Sequence, residues 1–232
     1  MQSNEAKSDS CRRFQFTSRQ NDINFSININ EKYSTSYGYH VWPSAPVLAQ
    51  FVAHFREEFK DKNIVELGAG TGMVGIVAAK VGAQVVLTDS HQYPECLRLC
   101  RQNVDINGVK DNIVAIESLD WGQLDEHVLQ MPAFDYILSS DCFYDQKDFE
   151  DILSSVSFLI DKHHKKGTIF YTTYQERNSD WSIECLLNKW GLKCDYICLD
   201  DFEANTGCIA GSDISSKHTI HLLKITKHLE NH

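Results

Sequence analysis

What the chain lacks narrows its class before any motif does. Nowhere in its 232 residues is there a run approaching the ~18 consecutive apolar side chains of a membrane-spanning helix, so no membrane partner is expected. The opening stretch, MQSNEAKSDSCRRFQF, is polar and has no apolar segment of the kind a secretory signal carries. The expected residence is therefore cytoplasm and nucleus, and HHKKG is too short a basic cluster to choose between them. Eight cysteines are present, but no C-x-x-C pair with a partner pair or His pair that would suggest zinc. The four-residue spacings Cys96/Cys100 and Cys194/Cys198 fall in a predicted helix and a predicted strand, and read as reduced structural thiols with no metal site. Positive charge is also short, at 22 Lys and Arg against 32 Asp and Glu, a net charge of −10. Phosphate binding rests on a positive footprint, which argues against nucleic acid as a direct partner. The same negative field steers a Lys/Arg-rich peptide inward. No internal repeat or low-complexity linker divides the chain, and a monomer with one large catalytic domain is expected.

The organisation reads as a disordered tail over 1–12, an extended region over 13–40 and the main domain over 41–232. In the extended region FSININ alternates, placing Phe25, Ile27 and Ile29 on one side. A helix starts near Ser44, with an apolar stripe of Val47, Leu48, Phe51, Val52 and Phe55. Strand NIVEL then leads to a helix over 72–80, and strand QVVLTD to a helix over 94–106 closed by Asn107-Gly108. NIVAIES is a further strand; FDYILSS precedes a helix over 148–160, and TIFYTTY one over 180–190. KCDYICL and HTIHLLKI follow with no long helix between them. Alternation of this kind specifies an α/β fold, a Rossmann-like, mostly parallel sheet with helices on both faces. The last pair, lacking a crossover helix, predicts an antiparallel hairpin at one edge.

The stretch NIVELGAGTGMVGI, 63–76, carries the chemistry. Glycines supply a tight turn and a close backbone approach to a ligand at a helix N-terminus. As Gly70-x-Gly72-x-x-Gly75 it fits a dinucleotide fingerprint. As Gly68-x-Gly70-x-Gly72 with Glu66 two residues before, it fits a turn that grips S-adenosylmethionine. Glu66 decides for the second: a carboxylate repels pyrophosphate but suits an ammonium beside a sulfonium. Asp89 ends the second strand, placed to accept hydrogen bonds from two ribose hydroxyls, and supports a nucleoside without choosing between the two. Asp120 and Trp121 follow the next strand, where an indole stacks on adenine and the carboxylate lies near its exocyclic amine. SSDCFYD leaves the fourth strand with Asp141 and Tyr144 together. Methyl transfer from a sulfonium is an in-line displacement, so the enzyme must align an acceptor nitrogen, and N–H acceptors with aromatic walls do that.

Taken in order, VWPSAPVLAQF, VELGAGTGMVGI, VVLTDS, LDWG and SSDCFYD resemble the seven-strand methyltransferases of family 16, a group of protein lysine methyltransferases and their relatives. The likeness covers about 37–227. CRQNVDIN, FEDILSSVSFLI and TYQERNSDWSIECLLNKW are similar to one branch of that family, associated with arginine methylation of histone H3. The resemblance implies S-adenosylmethionine contacts from Trp42, Gly68, Ala69, Gly70, Asp89, Trp121 and Ser140, with Asp141 and Tyr144 facing the acceptor. It also implies a basic protein substrate, histone H3 among the candidates. The chain departs from the main class of arginine methyltransferases in having no paired-glutamate loop after the fourth strand. Glu176 and Asp145 are then candidate partners for a guanidinium.

The expectation is an S-adenosylmethionine-dependent protein N-methyltransferase. Glu66 and the glycine turn hold the methionine moiety, and Trp42 closes the pocket from the N-terminal side. A lysine acceptor in a non-histone target, a small-molecule methyltransferase and a non-catalytic cofactor binder are the alternatives; an NAD-dependent oxidoreductase is opposed by Glu66. Other features read blandly. The acidic group Asp148, Glu150 and Asp151 is a solvated helix face, His163-His164 a surface turn, and Asn178 to Trp181 a helix N-cap followed by a packed tryptophan. Cys142 packs and is no nucleophile, since no nearby histidine activates it.

Overall fold

The computed structural model describes residues 9–18, 22–33, 37–162, 167–178, 181–214 and 219–228. Its core is a seven-stranded sheet of β3 (Asn63–Glu66), β4 (Gln84–Asp89), β5 (Ile113–Ser118), β6 (Tyr136–Ser140), β7 (Ile169–Gln175), β8 (Leu192–Ile197) and β11 (Ile220–Lys227). Across the sheet the order is β5-β4-β3-β6-β7-β11-β8. Strands β5 through β7 in that order pair in parallel, as the alternation with helices requires. β11 pairs antiparallel with both β7 and β8, so β8 forms the edge and the last strand slots inside it. From β3 the chain winds outward through β4 and β5, then returns to β6 on the other side. The carboxyl ends of β3 and β6 therefore meet at the switch point, where open sheets of this kind hold ligands.

Helices cover both faces. On one lie α1 (Ser44–His54), α3 (Met73–Lys80) and α4 (Pro94–Asn107), packed with Ile64, Leu87, Leu138 and Tyr171 of the sheet. On the other, α6 (Phe149–Asp161) and the shorter α5 (Glu126–Gln130) and α7 (Glu184–Lys189) pack on Val65, Val86, Ile137, Phe170 and Leu223. α5 was not expected; Asp125 caps it, accepting the Val128 N–H at 2.9 Å. α7 is shorter than the span predicted for it, and Ser182 Oγ accepts the Glu184 N–H at its start. Ser179 and Asp180, expected as its caps, and His163-His164 lie outside the described residues. No helix among the described residues is long and apolar enough to cross a membrane.

Two corrections concern what surrounds α1. The tail expected to be disordered over 1–12 is strand from Ser10, since β1 (Ser10–Ser18) pairs in register with β2 (Ile23–Glu31) as a hairpin. All 11 residues of α1 are buried, not only the apolar stripe. The hairpin and the 199–213 segment, which carries β9 (Cys208–Ile209) and β10 (Ser212–Asp213), cover its outer side. Gln50, on that side, donates to the carbonyls of Thr17 at 3.1 Å and Phe202 at 3.4 Å, so its buried amide is satisfied.

Helix α4 holds the hairpin by a substitute for a strand. Asn107 accepts the Asn28 N–H at 2.8 Å and donates to the Asn28 carbonyl at 2.6 Å. Asn103 does the same one pleat on, with the Asn30 N–H at 2.8 Å and carbonyl at 3.2 Å. Side-chain amides at i and i+4 of the helix thus pair with β2 as a neighbouring strand would. The Asn103 amide also donates to the Thr71 carbonyl at 2.9 Å, tying the hairpin to the glycine turn. Each buried group left unpaired costs about 1–3 kcal/mol. Asn103→Ala is expected to lower the urea midpoint by an amount equivalent to about 3 kcal/mol, and a shift below about 0.5 kcal/mol would show that water replaces the amide without loss.

Candidate active site

The glycine turn, residues 67–72, joins β3 to α3 and is fixed from below by β4. Ala69 N–H donates to the Thr88 carbonyl at 2.8 Å, and Gly70 N–H to Asp89 Oδ2 at 2.7 Å. Gly68 has φ +63°, and a Cβ there would lie 2.9 Å from Trp121 Cζ2, so the indole rests directly on the turn. Gly75, inside α3, is excluded from carrying a side chain: a Cβ would lie 2.2 Å from Leu87 Cδ2 and 2.7 Å from Glu66 Oε2. That gap is filled by Glu66, whose Oε2 accepts the Gly75 N–H at 2.7 Å. Glu66 is 1% exposed, and burial raises its pKa from the ordinary 4.5 to about 8; the Gly75 N–H opposes this and Asp89 adds to it. The carboxylate expected against the methionine moiety is therefore also the anchor of the first turn of α3, while still reaching the cavity wall.

Asp89 ends β4 with both carboxylate oxygens engaged by backbone, Oδ2 to Gly70 and Oδ1 to the Ser90 N–H at 2.8 Å. Each oxygen keeps a second lone pair for a ligand hydroxyl. Burial raises the Asp89 pKa, against the pull of those two N–H groups. Asp120 accepts from Ser90 Oγ at 2.6 Å and pairs with His91. Burial pushes its carboxyl up, but the Ser90 and His91 hydrogen bonds and the His91 charge bring it below its ordinary value. Trp121 lies beside Tyr144, ring centroids 6.3 Å apart.

Across the switch point, β6 delivers Ser140 and Asp141. Asp141 is buried, with φ +61°, a conformation an aspartate tolerates better than most residues, and its N–H donates to the Thr173 carbonyl at 2.6 Å. Its carboxylate is not open. Arg177, just past β7, grips it with two parallel bonds, Nη1 to Oδ1 at 2.8 Å and Nη2 to Oδ2 at 2.6 Å. The sequence reading missed Arg177; the signal available was its place after the carboxyl end of a parallel strand. Burial pushes the Tyr144 phenol up to about 12, and the nearby acids add to this, so the hydroxyl stays protonated at neutral pH. Cys142 is buried beside Thr172 with its thiol also pushed to about 12, consistent with packing.

Trp42, Glu66, Gly68, Ala69, Gly70, Asp89, Asp120, Trp121, Ser140, Asp141 and Tyr144 all line one cavity of about 930 Å³, joined by Tyr93, Arg177 and Trp181. Trp181 both reaches the cavity and packs edge-on against Phe149, centroids 5.6 Å apart. Asp145 lines the cavity and pairs with Lys147 at 2.9 Å, whereas Glu176, the other candidate for a guanidinium, turns away to His221 at 3.4 Å and is not on the wall. Asp148 and Asp151 are on the cavity wall as well, so the face expected to be merely solvated is partly the rim of the site; Glu150 pairs with Lys189. The donor set suits S-adenosylmethionine: a glycine-rich turn under an indole, a carboxylate with spare lone pairs for ribose, and a buried acid whose ionisation an ammonium would favour.

Comparison with known proteins gives the family and the fold. Residues 21–183 match the family described as Lysine methyltransferase. The Histone-arginine methyltransferase METTL23 of Xenopus laevis is 44% identical over 200 residues, covering 86% of this chain and 84% of that protein. The Protein N-lysine methyltransferase METTL21A of Xenopus tropicalis is 35% identical over 140 residues, covering 59% and 62%. Among solved structures, the T. thermophilus 16S rRNA N2 G1207 methyltransferase in complex with AdoMet and guanosine superposes with a TM-score of 0.59 at 15% identity, over 94% of this chain and 51% of that one. At that identity the likeness shows the fold.

The state of Glu66 has a measurable consequence. Its pKa in the folded protein, about 8, is above the ordinary 4.5, so between these values the unfolded chain has released a proton that the folded protein keeps. Stability from this group is full below about pH 4.5 and falls as pH rises through 8, at most by about 1.4 kcal/mol per pH unit. Glu66→Gln keeps an oxygen for the Gly75 N–H and removes the titration. Its melting temperature relative to the parent should climb as pH goes from about 5 to about 8.5. An offset constant over that range would uncouple Glu66 ionisation from folding.

Proposed function

The chain belongs to the lysine methyltransferase family, and from that premise we propose an S-adenosylmethionine-dependent protein N-methyltransferase acting on arginine of histone H3. The observation that carries the arginine reading is the Asp141 carboxylate, aimed into the cavity from the end of β6 and of a shape that already receives a guanidinium through two parallel bonds. The name of the relatives that match most of the chain, histone-arginine methyltransferase, supports it, and the net charge of −10 suits a basic substrate. A second reading, a lysine acceptor, is supported by the likeness to METTL21A.

When bound, S-adenosylmethionine supplies an electrophilic methyl group on a sulfonium. The protein's part is binding and alignment. Asp89 takes the ribose hydroxyls on its free lone pairs, Trp121 offers its face to adenine beside Asp120, and Glu66 with Gly68, Ala69 and Gly70 receives the amino-acid end. Trp42 closes the pocket from the N-terminal side, and Ser140 contacts the cofactor from the end of β6. Tyr144 keeps its proton at neutral pH, so it serves as a hydrogen-bonding wall and not as a base. A guanidinium has a pKa above ~12, so its nitrogen must be held and polarised and must give up one N–H proton as it gains the methyl. Asp141 is a buried carboxylate on the cavity wall that can accept its N–H groups.

Purified protein, methyl-labelled cofactor, core histones and cell lysate make the test, with hydrolysis of the labelled protein to identify the modified amino acid. Methyl-arginine in histone H3 is expected. Methyl-lysine would move the chain to its lysine-modifying cousins, and no protein label with cofactor binding intact would favour a small-molecule acceptor or a silent binder. Asp89→Ala is expected to weaken cofactor binding at least tenfold, about 1.4 kcal/mol or more, by calorimetry. Tyr144→Phe should bind cofactor normally and lose tenfold or more in turnover; unchanged kcat would remove Tyr144 from the site.

A further inference from the structure

We propose that Arg177 occupies the acceptor's place on Asp141, and that its exchange for the incoming side chain makes the site prefer a guanidinium to an ammonium. The Asp141 side chain is only 4% exposed and that of Arg177 26%, so the pair sits at the inner end of the acceptor cleft with the arginine on the outer side. An ionised carboxylate offers about four acceptor positions. Three are in use: Arg177 takes one on each oxygen, and the Gln175 N–H approaches Oδ1 at 3.3 Å. While Arg177 stays, no second cation can engage both oxygens.

Exchange is favourable only for an equivalent group. A guanidinium that displaces Arg177 restores both parallel bonds in the same fork geometry, and the Arg177 head group returns to water. An ammonium is a point charge on a flexible stem and remakes one strong contact, leaving the other oxygen of a nearly inaccessible carboxylate short of a donor. The selectivity therefore arises from what must be removed as much as from what binds. Asp141 is suited to such a swap because its direction does not depend on Arg177. Its backbone is set by the Thr173 carbonyl at 2.6 Å, and the Gln175 N–H stays on Oδ1. Arg177 lies just beyond the end of β7, on the outer side of the pair, where its Nη1 also donates to the Gln175 carbonyl at 3.2 Å.

The direction of the preference rests on the arginine reading above; the displacement does not. The experiment compares two peptides of identical basic sequence, one carrying arginine and one lysine at the acceptor position. Binding to the protein saturated with S-adenosylhomocysteine is followed by fluorescence anisotropy, and turnover by methyl label. Arg177→Gln should tighten both peptides, the lysine one more, so that the arginine-to-lysine preference falls about tenfold while S-adenosylhomocysteine affinity is unchanged. Arg177→Lys, which keeps the charge but not the fork, should fall between. Weaker binding of both peptides in these variants would make Arg177 a fixed clamp and overturn the proposal. In the unmodified protein, methylguanidinium should displace the bound arginine peptide at lower concentration than methylammonium; equal potency overturns the proposal without any variant. Should the parent accept lysine alone, the arginine reading falls, yet tighter lysine-peptide binding in Arg177→Gln would still support displacement and unchanged binding would refute it.

Discussion

The hydrogen bond from Gly75 N–H to the buried Glu66 carboxylate is the contact on which the site's geometry depends. It requires a carboxylate at the end of β3, a residue without a side chain in the first turn of α3, and a helix pressed against Leu87 of β4. With α3 so placed, the turn before it has one path, and Asp89 at the end of β4 fixes that path through Gly70. Trp121 can then lie on Gly68, since any Cβ there would strike the ring. One buried acid thus settles where the backbone of the glycine turn, the Asp89 carboxylate and the Trp121 indole stand relative to each other. A charge held this deep raises its own pKa, which a nearby cation relieves.

Much of this was legible in the sequence because it is local. The alternation of strands and helices, the closing of α4 at Gly108 and the antiparallel entry of the last strand follow from periodicity, turn residues and the absence of a crossover helix. Glu66, Asp89, Trp121 and Asp141 were found because strand ends in such a sheet converge at one crevice. What was not legible depends on contacts between distant segments. α1 reads as half-apolar, and its complete burial comes from a hairpin and a late segment far away in the chain. Asn107 reads only as part of the helix's close and Asn103 carries no signal at all; β2 beside them makes them a substitute strand. Glu176 and Arg177 are adjacent in sequence, and only the fold separates them: side-chain direction reverses residue by residue past the strand's end, so Glu176, a candidate for a guanidinium, meets His221 while Arg177 meets Asp141.

Two kinds of partner pair the buried carboxylates of the cleft, and on the function proposed above one kind lies at the cofactor's end and the other at the acceptor's. At the cofactor end, Glu66 and Asp89 are satisfied by backbone N–H groups of Gly75, Gly70 and Ser90, donors that cannot leave without unfolding a turn. Those carboxylates are set before any ligand arrives, and a ligand uses the lone pairs left over; that is preorganisation, with little to rearrange on binding. At the acceptor end, Asp141 is satisfied by the guanidinium at the end of a long side chain, Arg177, and not by the backbone of a turn. A fold in which every buried carboxylate must be paired in the free state thereby arrives at two solutions. Where one invariant ligand is bound at every turnover, the partner is backbone and permanent. Where a macromolecular side chain must enter and leave, the partner is a side chain of the kind that is to replace it. Desolvation requires only that each carboxylate be paired; on the function and the displacement proposed above, the guanidinium that Arg177 lends to Asp141 is of the same kind as the group the cleft receives.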